Sequence, residues 1–482
     1  MKWRLALLLL SSVAAASPPA RNFVVVIANN RSLTAGVEPL RYADDDGARW
    51  YELLKPTAER ISLFTVFDAE SQRVFGPLVA EAQPPTRAAI VARLAEYNRA
   101  MTEVRNRGEE PVLYVVIVGH GEIAPDGEGY VSLLDVPLRR SELFRDVIAP
   151  STASFNHLII DACNAYLLVA RRGDDRGPSG AAAIKRYLAD EDLDRYPGTG
   201  VLLATSRARA THEWSLYGGG IFSHELRSAL TGAADVNGDG RVEYSEVSAW
   251  VAAANLRIDD PNARLDLYVR SPARDRTRAL MDLTTAGFTH FLRLPSFAEG
   301  RFYLEDARGV RFADLNKAPG EPLLMALVDS PWYFLREEHK ESRIVLDSWR
   351  GTLEAQPDKL VARTMVERGA IEQSFQKHLF EVPFGAGFYR GHVSSTSDPP
   401  VADPPLARFT PPPLDEAKPA TQSELAGRLT AVKDNVKKHD IGHDELIEHL
   451  LPWADKRLAA GDLWEAARTI GELERHLQSP AR

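Results

Sequence analysis

Two apolar runs constrain this chain more than any other feature. Tyr114-Val115-Val116-Ile117-Val118 and Leu158-Ile159-Ile160 are unbroken by polar residues. A strand that is apolar on both sides needs cover on both sides, which is the condition of a strand inside a parallel sheet. Phe23 to Ala28, Ile61 to Phe67 and Val201 to Thr205 are further runs of this kind. Helical patterns separate them. Asp44 to Leu54 begins with acidic residues, which suit the positive end of a helix dipole. Thr86 is placed to cap a helix carrying Ile90, Val91, Leu94 and Tyr97. Other helices are expected from Ser141 and over Ile221 to Leu230, and Tyr130 to Leu134 reads as a short hairpin arm. Strands alternating with helices predict an α/β fold over residues 22–287, a mostly parallel sheet flanked by helices.

The texture changes after residue 288. Short strand-like runs at Phe291–Leu294, Arg301–Leu304, Leu323–Val328, Trp332–Leu335 and Arg343–Leu346 are separated by turn residues. They predict a small antiparallel β-sandwich over 288–398, with part of Leu360 to Phe384 helical. Residues 399–420 form a proline-rich linker, expected to be extended and exposed. Residues 421–482 read as two or three amphipathic helices, with Leu446, Ile447, Leu450 and Leu451 on one face.

The first residues have the form of a secretory signal over 1–16. Lys2 and Arg4 are followed by apolar Leu5 to Leu10 and by Ala14-Ala15-Ala16, so export to the periplasm or the extracellular space is expected. No later stretch is apolar enough to span a bilayer, so no membrane span is expected in the mature chain. The formal net charge of -9 argues against a nucleic-acid partner, which needs a basic face.

There is one cysteine, Cys163. In an oxidising compartment an unpaired thiol stands out as reactive, the alternative being a buried inert one. Cys163 follows the second apolar run through Asp161-Ala162, and His120 follows the first within Gly119-His120-Gly121. Two strands thus deliver a thiol and an imidazole at their C-terminal ends, the edge where open α/β sheets gather their chemistry. A thiolate is the nucleophile in cysteine chemistry, and a neighbouring histidine generates it. The amides of Gly121 and Cys163 are the expected oxyanion donors.

On these residues the chain resembles the caspase-fold cysteine peptidases, and among them the metacaspase-like proteins of bacteria. Tyr42-Ala43-Asp44-Asp45-Asp46-Gly47-Ala48, Thr205-Ser206-Arg207 with Glu213, and Gly219-Gly220-Ile221-Phe222-Ser223 resemble further segments of that family. The resemblance covers residues 22 to 255. Asp161 and Ala165 stand where the caspase signature has Gln and Gly. The resemblance implies a Cys163–His120 dyad acting on a protein or peptide substrate. It also implies that Asp161, with Asp46, lines a pocket for a basic side chain. A binding protein built on the same frame is the other reading, and the C-terminal regions are candidates for contact with a protein partner.

A second motif runs from Asp235 to Glu246 and fits the twelve-residue calcium-loop pattern. Asp235, Asn237, Asp239, the carbonyl of Arg241 and Glu246 are the expected Ca2+ ligands, and Gly240 sits at the sharp turn. Among the other candidates, His157 is expected to pack or lie at an edge. His212, His224 and Trp214 either shape a pocket or pack in the core. Arg171, Arg172 and Arg176 fall in an exposed loop.

Overall fold

The computed structural model describes residues 18–162, 193–205, 213–215, 217–258, 265–337, 340–362, 378–395, 408–416, 421–438, 445–461 and 463–478. Its centre is a six-stranded sheet. The strands are β1 (Ala20–Asn29), β2 (Ala58–Phe64), β3 (Glu110–Gly119), β4 (Phe155–Ala162), β5 (Thr199–Thr205) and β6 (Asp266–Arg270). Their order is β6-β5-β4-β3-β1-β2. All pairs are parallel except β6 against β5. The expected α/β frame is therefore present, with one antiparallel edge strand.

The side chains of each central strand alternate between two cores, as strand geometry requires. Val24, Val26, Tyr114, Val116 and Ile159 face one cluster. Phe23, Val25, Leu113, Val115, Leu158 and Ile160 face the other. Helix α1 (Ala43–Leu54), α2 (Ile221–Ser228) and α3 (Tyr244–Asn255) cover the first face through Trp50, Leu53, Phe222, Leu226, Val247 and Trp250. The helix Arg87–Asn106 covers the second through Ile90, Leu94, Tyr97 and Met101. Thr86 caps it, accepting the Ala89 N–H at 3.4 Å. Asp161 has the parity of Ile159, so it emerges on the side of α1 and α2.

The second half forms two further sheets. One pairs His290–Leu294, Leu323–Leu327, Trp349–Glu354 and Asp415–Glu416. The other pairs Gly300–Asp306, Arg311–Lys317, Trp332–Glu337, Lys340–Val345 and Val361–Ala362. The pairing is antiparallel except that His290–Leu294 runs parallel to Trp349–Glu354. The chain visits the other sheet between these two strands, and that long crossover permits a parallel return. The sandwich packs into the same core as α2 and α3. Residues 408–416, expected as an exposed linker, are extended but tied down. Phe409 donates to Gly238 O at 2.7 Å, and Thr352 Oγ1 donates to Pro412 O at 2.7 Å.

Three helices, Gln422–Lys438, Glu445–Ala459 and Leu463–Gln478, close the chain around a core of their own. Leu425, Leu429, Val432 and Val436 supply one wall and Ala466, Ile470 and Leu473 another, spaced as a helix face requires. Among the described residues no helix is long and apolar enough to cross a membrane.

Candidate active site and acidic loop

Strands β3 and β4 end together at one edge, with Gly119 in register with Ala162. His120 follows Gly119. Its ring is half-buried, and Nε2 is buried without a hydrogen-bond partner. Burial lowers its pKa; a hydrogen bond with the backbone of Asn30 and the charge of Glu122 oppose that shift. Gly121 opens a small strand, Gly121–Ile123, in register with Val131. Cys163, which follows Ala162 in the sequence, lies outside the described residues, as do Arg171, Arg172, Arg176 and His212.

Glu122 was missed by sequence reasoning. Its carboxylate accepts Ser32 Oγ at 2.6 Å, Tyr130 Oη at 2.9 Å, Ser132 Oγ at 3.2 Å and the hydroxyl of Thr34. These bonds clamp the segment around residue 32 to the strands beside His120 and hold the Glu122 carboxyl below its usual range. Four hydroxyls from distant segments carry no common sequence pattern.

Asp161 is 5% exposed. Its Oδ2 accepts Ser223 Oγ at 2.6 Å and Ser223 N–H at 3.2 Å. Burial first, and the neighbouring Asp46 second, push its pKa up to about 7. Asp46 lies at the start of α1. Its Oδ2 accepts the Gly220 N–H at 2.6 Å and its Oδ1 accepts Arg227 Nη1 at 2.8 Å. Arg227 is itself 3% exposed. A Cβ at Gly220 would stand 3.0 Å from Asp161 Oδ2 and 3.2 Å from Asp46 Oδ2. The glycine therefore lets the backbone pass between two carboxylates. The structure thus brings Asp161 and Asp46 together, and also shows that Asp46 already holds an internal guanidinium.

Of the other candidates, Trp214 and His224 belong to the core. Trp214 is 4% exposed and packs edge-on against Tyr217. His224 is fully buried and bonded to Asp314 Oδ2 at 2.7 Å. Arg311 Nε donates to the same oxygen at 2.6 Å. This trio joins α2 to the sandwich. His157 is buried and bonded to Tyr244 Oη at 2.6 Å.

The loop Asp235–Glu246 runs into α3, whose first turn carries Glu246. Gly238 and Gly240 adopt φ of 73° and 81°, left-handed values that favour glycine. Asp235 accepts the amides of Gly238 at 2.8 Å and Gly240 at 2.9 Å. Asn237 Oδ1 accepts the Asp239 amide at 2.9 Å, and Asp239 Oδ1 accepts the Arg241 amide at 2.8 Å. Glu246 accepts the amides of Val236 at 3.1 Å and Glu243 at 2.8 Å. Burial pushes Asp235 and Glu243 up to about 7. Glu246 is held well above the carboxylate range, by burial first and then by Asp235. The donors are all oxygen, and among the described residues no cationic side chain bonds to Asp235 or Glu246, which suits a hard cation. Their oxygens are turned to loop amides, and no group of three His, Cys, Asp or Glu among the described residues is arranged to hold a metal ion.

No known protein family matches this sequence, and no curated protein does. Solved structures do match it. One is a structural-genomics protein of Geobacter sulfurreducens, at 13% identity and a TM-score of 0.32, covering 55% of this chain and 99% of that one. Caspase-1 from Spodoptera frugiperda matches at 14% identity and a TM-score of 0.28, covering 53% and 87%. The Arg-specific cysteine proteinase gingipain R matches at 12% identity and a TM-score of 0.25, covering 67% and 63%.

Proposed function

We propose that this chain is an exported cysteine endopeptidase of the caspase type that cleaves after Arg or Lys, working in the periplasm or outside the cell. The observation that carries this reading is the register of Gly119 with Ala162: His120 and Cys163 are the next residues of two adjacent parallel strands. In this reading the Cys163 thiolate attacks the scissile carbonyl carbon and forms the acyl-enzyme. His120 takes the thiol proton and gives it to the departing amine, and water then releases the acid product. The amides of Gly121 and Cys163 hold the oxyanion. The unpartnered Nε2 of His120 leaves the imidazole available for proton transfer.

Asp161 is the acid assigned to the basic side chain of the substrate. Asp46 acts behind it, since its charge is shared with Arg227. Asp235, Asn237, Asp239, the Arg241 carbonyl and Glu246 would hold Ca2+ as a staple of the Asp235–Glu246 loop. When bound it supplies the missing positive charge there and takes no part in the peptide chemistry.

The compensation of Asp46 by Arg227 is the one observation that favours the second reading, a binding protein on the same frame. One experiment separates the two: cleavage of a peptide library by the full chain beside Cys163→Ala. Cleavage after Arg and Lys that vanishes in the variant supports the peptidase. Equal turnover by both proteins, or none by either, removes it.

A further inference from the structure

A large cavity lies away from the edge that carries His120. It has a volume of about 790 Å3, within the roughly 300–1,000 Å3 usual for ligand sites. The acidic loop at Asp235–Gly238, helix α3 at Trp250, the sandwich, and the start of the helix Ala386–Ser395 enclose it. It is not part of the peptidase site, and neither of the motifs read from the sequence accounts for it.

Three features of its lining point to an occupant. Phe297 is 69% exposed, the most exposed large apolar side chain among the described residues. Arg390 is exposed and has no carboxylate partner among the described residues. The neighbouring charges are engaged. Arg408 pairs with Glu321, and Arg293 lies 3.9 Å from Glu354. Lys317 Nζ donates to the carbonyls of Ala298 at 2.9 Å and Ala318 at 3.0 Å. Asp235 is held by its loop amides. Among the described residues the cleft thus carries one guanidinium, that of Arg390, with no carboxylate to balance it. The third feature is in the walls. The indole N–H of Trp250 and Oδ1 of Asn316 are both buried without a partner, and unmet polar atoms of this kind call for an explanation.

The molecule also shows how an extended segment sits against this region. Phe409, one of the lining residues, donates its N–H to Gly238 O at 2.7 Å. Its ring packs edge-on to Phe291 at 6.1 Å. Downstream, Asp415–Glu416 add to the strand Trp349–Glu354. Main-chain bonds plus an aromatic anchor are the general means by which extended peptides bind.

We propose that this cleft binds an extended peptide segment carrying a large apolar or aromatic side chain beside a carboxylate. The apolar group packs against Phe297 and the aromatic wall, and the carboxylate pairs with Arg390. The site is independent of Cys163 and stands whether or not the chain is a peptidase.

The test pans a random dodecapeptide phage library on the full chain and measures the enriched peptides by fluorescence anisotropy. Enrichment of Phe, Trp or Leu beside Asp or Glu is expected. Phe297→Ser and Arg390→Glu should each weaken binding tenfold or more, with thermal melts unchanged because both side chains are exposed. Alkylation of Cys163 should leave binding intact. Absence of enrichment, or binding indifferent to both substitutions, overturns the proposal. Binding lost on alkylation and indifferent to the substitutions assigns the peptides to the sheet edge and overturns it equally.

Discussion

At the sheet edge, Asp46 meets a buried arginine at 2.8 Å and Asp161 meets a serine hydroxyl at 2.6 Å. In the loop before α3, Asp235 and Glu246 meet only backbone amides among the described residues. Both centres bury carboxylates, and burial raises the pKa of an acid in each. They differ in where the positive charge comes from. The first centre carries its own guanidinium in the covalent chain. In the reading proposed above, the second takes it from a bound Ca2+. Burying a charge is tolerable only with a partner, so on the proposed reading the first centre is complete at folding and the second responds to Ca2+ in the solution.

Four measurements test that contrast. The largest effect is expected from Arg227→Met, which leaves buried Asp46 with only the more distant Arg49, 3.7 Å away. Breaking a buried pair in this way costs about 3–5 kcal/mol, read as a lower urea midpoint. Adding Asp46→Asn in the same chain should recover part of the loss. A loss under about 1 kcal/mol would mean that Arg227 is not the compensating charge.

Next comes calcium. A ligand present at a hundred times its Kd stabilises by about 2.7 kcal/mol, so millimolar Ca2+ should raise the Tm by several degrees. Glu246→Gln should abolish that rise. A chain whose Tm ignores Ca2+ would make the loop closed by its own amides, and the contrast would collapse.

Third is pH. An acid whose folded pKa exceeds its unfolded value contributes stability below the ordinary carboxylate range and loses it as pH climbs through the folded value. With Asp161 at about 7, stability should decline between about pH 4 and 7. Asp161→Asn should flatten that slope in Tm against pH. The same ionisation predicts that kcat/KM for Arg peptides rises through about pH 7 and that Asp161→Asn reduces the preference for Arg.

The smallest effect is that of Ser223→Ala. It removes the hydroxyl that donates to Asp161 and accepts the Trp50 indole N–H at 3.1 Å, and should cost about 1–2 kcal/mol by chemical denaturation. A much larger loss would show that the serine, rather than Arg227, is what makes the edge centre self-sufficient.

What the sequence revealed and what it hid follow the same physics. The strands that end at Gly119 and Ala162 were legible because a buried strand must be apolar throughout. The glycine at 240 was legible because a left-handed turn needs it. The pairing of Asp46 with Arg227 was not. It joins residues from opposite ends of the α/β half through a contact that no spacing rule describes. The same holds for His224 with Asp314, which leaves the pocket question for His224 settled in favour of the core. Phe409 was hidden by its surroundings, because a proline-rich stretch reads as a tether whether or not its one aromatic residue is anchored. The cysteine itself was legible as chemistry, and its position lies outside the described residues.

The bond from Phe409 to Gly238 has a consequence for biogenesis. A chain emerging from the ribosome completes the α/β half long before residue 409 exists. Domains tend to fold as units during synthesis, so for that interval the acidic loop stands without its aromatic cover and one side of its turn at Gly240 is bare. Late segments that dock on early ones raise contact order and slow the final step. A late contact is therefore made to the loop proposed to take Ca2+. A chain truncated before residue 408 should keep the sheet yet present that loop in an unfinished state.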